Sequence, residues 1–258
     1  MTIQQTFSWD GFARTGIDPE TLIKGAAEIG FAGIELVDSK YWPMIRDYGL
    51  RIVSTNGHLL APEGINHPDH FPAIEKSILA ALEEAITWGI PYILCFSGNR
   101  YGIDQQVAAE ITAQNLSRLA SHFENSGVTL VMELLNSKVP GRDYQADNSA
   151  WGIKVCQMVN SPHVRLLYDI FHMQIMEGDL IRTIREHHAY FAHYHTAGNP
   201  GRHDLDDEQE IYYPAVFRAI AETGHTGYIG HEFFPKHNAL DSLQSAFKRC
   251  EAALVNRA

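Results

Sequence analysis

The sequence predicts a single eight-stranded β/α barrel, and three observations carry that expectation. Eight short apolar, β-branched or aromatic runs alternate with longer helical patterns. Several of the short runs are almost continuously apolar, as in Val128-Thr129-Leu130-Val131-Met132, which marks strands covered on both faces. No glycine-rich phosphate turn follows the first run, where Trp9-Asp10-Gly11-Phe12-Ala13 stands instead of G-x-G-x-x-G, so the open doubly wound sheet ranks second. Closing a parallel sheet into a barrel removes its edges, and 258 residues is an ordinary length for one such unit, so one domain is expected over residues 1–258.

In chain order, the first strand is expected over residues 3–9. Asp18-Pro19-Glu20 then opens a helix, with a capping carboxylate and a proline where the missing N–H costs nothing; the helix carries Leu22, Ala26 and Ala27 and stops at Gly30. Strands two and three are expected over 33–37 and 51–56. The following stretch, 58–69, holds two prolines and is too long for a simple turn. Strand four is expected over 92–97. A helix follows from Asp104 to Asn125, with Val107, Ile111, Leu116, Leu119 and Ala120 at helical spacing, and Gly127 closes it. Strands five, six and seven are expected over 129–135, 164–170 and 191–196. A second long connection, 197–209, is rich in charge and glycine, and strand eight is expected over 228–233. In a barrel both long stretches follow the C-terminal end of a strand, where binding loops belong.

Bulk composition narrows the function classes. The formal net charge is −11 with no basic run, which disfavours nucleic acid and anionic membrane as partners. Cys95, Cys156 and Cys250 are far apart, without a Cys-x-x-Cys pair, so neither a disulfide framework nor a thiolate zinc site is expected. The opening Met1-Thr2-Ile3-Gln4-Gln5 shows no targeting pattern, and no segment supplies the roughly 18 apolar residues of a membrane span. A cytoplasmic metabolic enzyme acting on a small molecule is the expectation, with room for a homo-oligomer.

The chemistry is expected at the ends of the last four strands, where ionisable residues follow apolar runs and must be paired, solvated or metal-bound. Glu133 follows Leu130-Val131-Met132, Asp169 follows Leu166-Leu167-Tyr168, His195 closes His193-Tyr194, and Glu232 follows Ile229-Gly230-His231. If the barrel is right, these four reach one cation at its mouth. Three carboxylates and an imidazole suit a hard or borderline dication, magnesium or manganese ahead of zinc, with cobalt also suited. His58, after Asn56-Gly57, is expected either to reach substrate from strand three or to cap its loop. His193 shares the parity of His195 and reads as a core histidine or a support beneath it, whereas His231 has the opposite parity to Glu232 and should face the helices. Trp9, Phe71, Tyr101 and Phe234 read first as packing aromatics and second as pocket walls.

The segments Val131-Met132-Glu133-Leu134-Leu135-Asn136, residues 167–180 (LYDIFHMQIMEGDL), Ala197-Gly198-Asn199-Pro200-Gly201-Arg202, Gln209-Glu210-Ile211-Tyr212-Tyr213 and Gly230-His231-Glu232 resemble the hydroxypyruvate isomerase family of the xylose-isomerase-like barrels. The resemblance covers most of the C-terminal half; the N-terminal half shares only the barrel rhythm. It implies that Glu133 and Glu232 are both metal ligands and the pair that takes and returns a proton. It further implies that Asp169 and His195 complete the coordination, that His172 and Arg202 contact substrate oxygens, and that Glu210 supports the site. Two positions depart from the family pattern: a glutamine usually stands where this chain has His195, which is instead like the keto-sugar epimerases, and Glu-Tyr-Lys-Pro usually stands where this chain has Glu232-Phe233-Phe234-Pro235. Lys236 is displaced by one residue from the family's lysine.

The expected reaction is metal-dependent interconversion of hydroxypyruvate and tartronate semialdehyde, or of a close 2-oxo acid, by proton transfer through an enediolate. A keto-sugar 3-epimerase of the D-tagatose/D-psicose type uses the same site and is the runner-up. A non-catalytic sugar-binding barrel and an endonuclease IV-like phosphodiesterase are the remaining readings; the second would need a basic face that the net charge denies it.

Overall fold

The computed structural model describes residues 3–139 and 143–255; Met1 and Thr2 of the opening segment lie outside them. Eight strands are present: β1 Gln4–Ser8, β2 Gly33–Glu35, β3 Arg51–Asn56, β4 Tyr92–Cys95, β5 Thr129–Glu133, β6 Val164–Asp169, β7 Phe191–Thr196 and β8 Tyr228–His231. They are ordered β1 to β8 in a closed barrel, with β8 paired parallel to β1. The sequence placed all eight. Six of them are shorter than expected because the last one or two residues leave the ladder: Leu134 and Leu135 after β5 and Glu232 and Phe233 after β8 are already loop.

By contact density the chain forms two compact units. One holds the described residues up to Val53, Asp179–His188 and those from His193 onward; the other holds Ser54–Gly178 and Ala189–Ala192. In the first, the register aligns Thr6 of β1 with Gly230 of β8, and Gly230 with His195 of β7, so these three form one rung of the sheet. In the second, Glu133 of β5 lies beside Leu167 of β6, two residues before Asp169.

The helices obey the local signals. Asp18 Oδ2 accepts the Thr21 N–H at 2.9 Å, Pro19 opens the helix Pro19–Ile29, and Gly30 ends it at φ 109°, where a side chain would be strained. Asp104 Oδ1 accepts from Gln106 N at 2.8 Å and Val107 N at 3.2 Å, but this helix, Gln105–Phe123, ends before Gly127. Val107 is 46% exposed and lies outside the buried stripe. That stripe runs through Ala108, Thr112, Leu116, Leu119 and Phe123, small in the first turns and larger toward the end.

The stretch after β3 is tied down by its backbone. Ile65 N and Asn66 N donate to Phe96 O and Ser97 O at 3.2 and 2.9 Å. Gly64 and Gly98 approach so closely that a Cβ on Gly98 would stand 2.4 Å from Gly64 N. The three cysteines are buried and free. Among the described residues no helix is long and apolar enough to cross a membrane.

Candidate functional site

In the first unit, β7 and β8 deliver His195 and Glu232 side by side: His195 Nδ1 is 2.9 Å from Glu232 Oε2. His195 is fully buried, whereas the Glu232 side chain keeps 21% of its surface exposed. Glu232 is held from two further directions. Arg202 Nη2 donates to Oε2 at 2.6 Å and Arg202 Nε to the Glu232 carbonyl at 3.3 Å, while Ser8 Oγ, at the end of β1, donates to Oε1 at 3.3 Å. Arg202, expected against substrate, thus grips the carboxylate expected to move the proton. Its loop takes a left-handed backbone at this residue (φ 58°), and its carbonyl accepts from Phe234 N at 2.8 Å, which fastens the loop to the chain just beyond Glu232.

Beneath His195 lies a group that the sequence reading passed over. Glu35, the last residue of β2, is fully buried. Its Oε2 accepts from His193 Nε2 at 2.7 Å and His195 Nε2 at 3.2 Å, and its Oε1 accepts from the Thr6 hydroxyl. Burial by itself would raise the pKa of this carboxyl; the two imidazoles outweigh burial and hold it well below the usual carboxylate range. His193, read as a core histidine or a support, is completely enclosed and also bonds Tyr228 O through Nδ1 at 3.1 Å. One atom from each of Glu35, His193 and His195 lies within 4.8 Å of the others. The signal that could have found Glu35 was the one used for strands five to eight: Gly33-Ile34-Glu35 is also an acid closing an apolar run.

In the second unit, β5 and β6 end in Glu133 and Asp169, with side chains almost wholly buried. Tyr144 donates its hydroxyl to the Glu133 carbonyl at 3.0 Å, which fixes the strand end. Asp169 is the N-cap of the short helix Ile170–Met176, accepting His172 N at 3.2 Å. That turn brings the His172 ring back over Asp169, with Nε2 3.6 Å from Oδ2. Asn136 Nδ2 donates to His172 Nδ1 at 2.6 Å, with Asn136 Oδ1 fixed by Val139 N at 2.6 Å, so the ring's proton belongs on Nε2.

His58 sits differently. Its Nδ1 bonds Leu59 O and its Nε2 accepts from Phe96 N, each at 3.0 Å, so both ring nitrogens serve the backbone; burial pulls its basicity below the ordinary histidine value. Of its two expected roles, this geometry is that of the loop cap. Glu210 accepts from Asn199 Nδ2, and its own N–H donates to Asn199 O at 2.8 Å, which braces the loop after β7. Lys236 is engaged with acids, its Nζ lying 2.8 Å from Asp206 and 3.0 Å from Glu208. His231 does face the helices: its ring stands edge-on to Phe217, 6.4 Å away. Phe71 is packed away from solvent, and Tyr101 and Phe234 are exposed.

Comparison with known proteins places the chain in a family. The profile of the xylose isomerase-like TIM barrel family matches residues 23–250. The chain is 28% identical over 232 residues to the 2-oxo-tetronate isomerase of Pectobacterium atrosepticum, covering 85% of this chain and 88% of that protein. It is 26% identical over 245 residues to a human protein named for hydroxypyruvate isomerase, covering 86% of each. Its fold matches that of a Brucella melitensis crystal structure described as AP endonuclease, family 2, with a TM-score of 0.82 at 24% identity over 93% of this chain and 97% of that one. With parallel strands closed in chain order and that profile spanning nearly all of them, the chain belongs to the xylose isomerase-like TIM barrel family.

Proposed function

We propose that this protein is a metal-dependent isomerase that moves a proton between adjacent carbons of a small 2-oxo acid, with hydroxypyruvate and 2-oxo-tetronate as the first substrates to try. In this reading Glu133, Asp169, His195 and Glu232 hold one divalent cation, magnesium or manganese by the hardness of three carboxylate ligands. The observation that carries it is the contact between His195 Nδ1 and Glu232 Oε2 at 2.9 Å. Two ligand atoms about 2.1 Å from one cation and at right angles stand about 3 Å apart, so this edge already has the dimension of a coordination site. The two remaining carboxylates close the two strands that precede β7 in the barrel order, β5 and β6. Both relatives' names point to the same reaction class.

A dication bound there supplies Lewis acidity, stabilising the charge that builds on substrate oxygens as the neighbouring C–H ionises. The chain's own residues do the rest. One of Glu133 and Glu232 takes the carbon-bound proton and the other returns one to the adjacent carbon, while the hydroxyl proton passes from one substrate oxygen to the other. Arg202 and Ser8 fix the Glu232 carboxylate from opposite oxygens, limiting its swing as it takes or returns its proton. His172, its proton set on Nε2 by Asn136, can donate to a substrate oxygen. His58 is left out of this set, and Glu210 acts by bracing the Arg202 loop.

One observation favours the keto-sugar 3-epimerase reading. The lysine that could meet a substrate carboxylate is displaced to Lys236, whose ammonium is committed to Asp206 and Glu208. The test is an assay of metal-stripped and metal-restored enzyme on hydroxypyruvate, 2-oxo-tetronate and a panel of keto-hexoses, in deuterated water. Deuterium in a product from a 2-oxo acid, lost on chelation and regained with manganese, is the expected result. Turnover of keto-hexoses alone would transfer the assignment to epimerisation, and full activity after thorough metal removal would refute both.

A further inference from the structure

We infer that Glu35 is a positioning residue that fixes which nitrogen of His195 faces the cation site. This inference rests on the metal reading above. His195 has two ring nitrogens on opposite sides: Nε2 points to Glu35 Oε2 at 3.2 Å, and Nδ1 points to Glu232 Oε2 at 2.9 Å. A carboxylate can only accept, so the bond to Glu35 puts a proton on Nε2, and with an ion bound between His195 and Glu232 the Nδ1 lone pair is the one turned to that ion. A carboxylate behind a metal-binding histidine orients the ring and raises its basicity.

The surroundings are built for this contact. Gly230 stands in the rung between Thr6 and His195, and a Cβ there would lie 2.3 Å from Glu35 Oε1 and 2.9 Å from His195 Cδ2. Only glycine leaves room for a carboxylate to cross from β2 beneath the β7 histidine. Thr6 and His193 also donate to Glu35, so the group is oriented from both oxygens. An imidazole can carry its single proton on either nitrogen, so His195 needs that proton directed.

The test compares wild type and Glu35→Gln, both metal-free, by calorimetric titration with manganese alone and by urea unfolding. The expected result is at least tenfold weaker manganese binding in the variant, within the roughly 10- to 100-fold range for lost partners of metal ligands, with a cooperative unfolding transition retained. A merely structural role would lower the unfolding midpoint and leave the dissociation constant changed by less than tenfold, which would overturn the inference. Should the variant not fold, nitrogen-15 shifts of the histidines in metal-free wild type decide independently: a proton on His195 Nε2 is expected, and an unprotonated Nε2 overturns the proposal. Wild type that binds no divalent ion would defeat the metal reading and this inference together, while equal binding by both proteins would defeat this one alone.

Discussion

Glu232 is constrained at three atoms by three neighbours, Ser8 on Oε1, Arg202 on Oε2 and on its carbonyl, and His195 beside Oε2. Removing its charge therefore touches proton transfer and coordination together. Replacing Glu133 or Glu232 by Gln should lower kcat by about 10²- to 10⁴-fold at saturating manganese, the usual range for a general acid or base; circular dichroism would verify that each variant is folded. Arg202→Lys keeps the charge but loses the two-point grip on carboxylate and carbonyl, and we expect kcat to fall roughly tenfold, a loss of about 1.4 kcal/mol of transition-state stabilisation, with less change in KM. A KM effect without a kcat effect would make Arg202 a substrate contact instead. At this scale the sequence exposed the acids that close long apolar runs and missed Glu35, which closes a three-residue strand and whose histidine partners lie about 160 positions away. No local spacing encodes such a contact. The same limit hid the target of Arg202, since a loop arginine carries no mark of the carboxylate it will meet.

At the scale of single elements, strands and caps were readable because their causes are local. Strands buried on both faces must be apolar along their length, and Asp18 and Asp104 stand at the first turns they cap. Asp104→Ala should cost about 1 kcal/mol of unfolding free energy, checked by urea titration, because two N–H groups of the first turn lose their acceptor. Strand ends were less readable: a hydrophobic run continues past β5 through Leu134 and Leu135 because the loop is buried too, and burial rather than pairing governs composition. Val107 illustrates the converse, an apolar residue at helical spacing that faces water. Gly98 shows what a loop demands of its backbone. It sits at φ 88° against Gly64, and Gly98→Ala should destabilise the protein by about 1–3 kcal/mol, seen as a lowered melting temperature.

For the molecule as a whole, a bound cation and pH act through the same balance between folded and unfolded chains. Manganese at about a hundred times its dissociation constant should add about 2.7 kcal/mol to stability, read as a raised melting temperature that chelation abolishes. His231 supplies an opposing pH dependence. Its Nδ1 meets the Thr196 hydroxyl at 2.8 Å and its Nε2 meets Gln5 Oε1 at 3.0 Å. Burial, the largest influence, takes its pKa from 6.5 down to about 3. The folded ring stays neutral while the unfolded one takes a proton below 6.5, so this contribution is complete above pH 6.5 and drains away as pH falls toward 3. The slope should be about 1.4 kcal/mol per pH unit, and His231→Asn should flatten it in urea unfolding between pH 6.5 and 4.5. The barrel order was legible from the alternation of runs. The joint placement of residues from distant strands was not, because only closure of the sheet brings them near one another. Cys95, Cys156 and Cys250 complete the picture from the interior: burial raises all three thiols, Cys156 to about 12. Thiolates are thus scarce at neutral pH, and the native protein is a silent background for maleimide chemistry. A fluorophore attached through Leu59→Cys, a site 78% exposed in the connection after β3, would then report movement of that segment on substrate addition without competing signal.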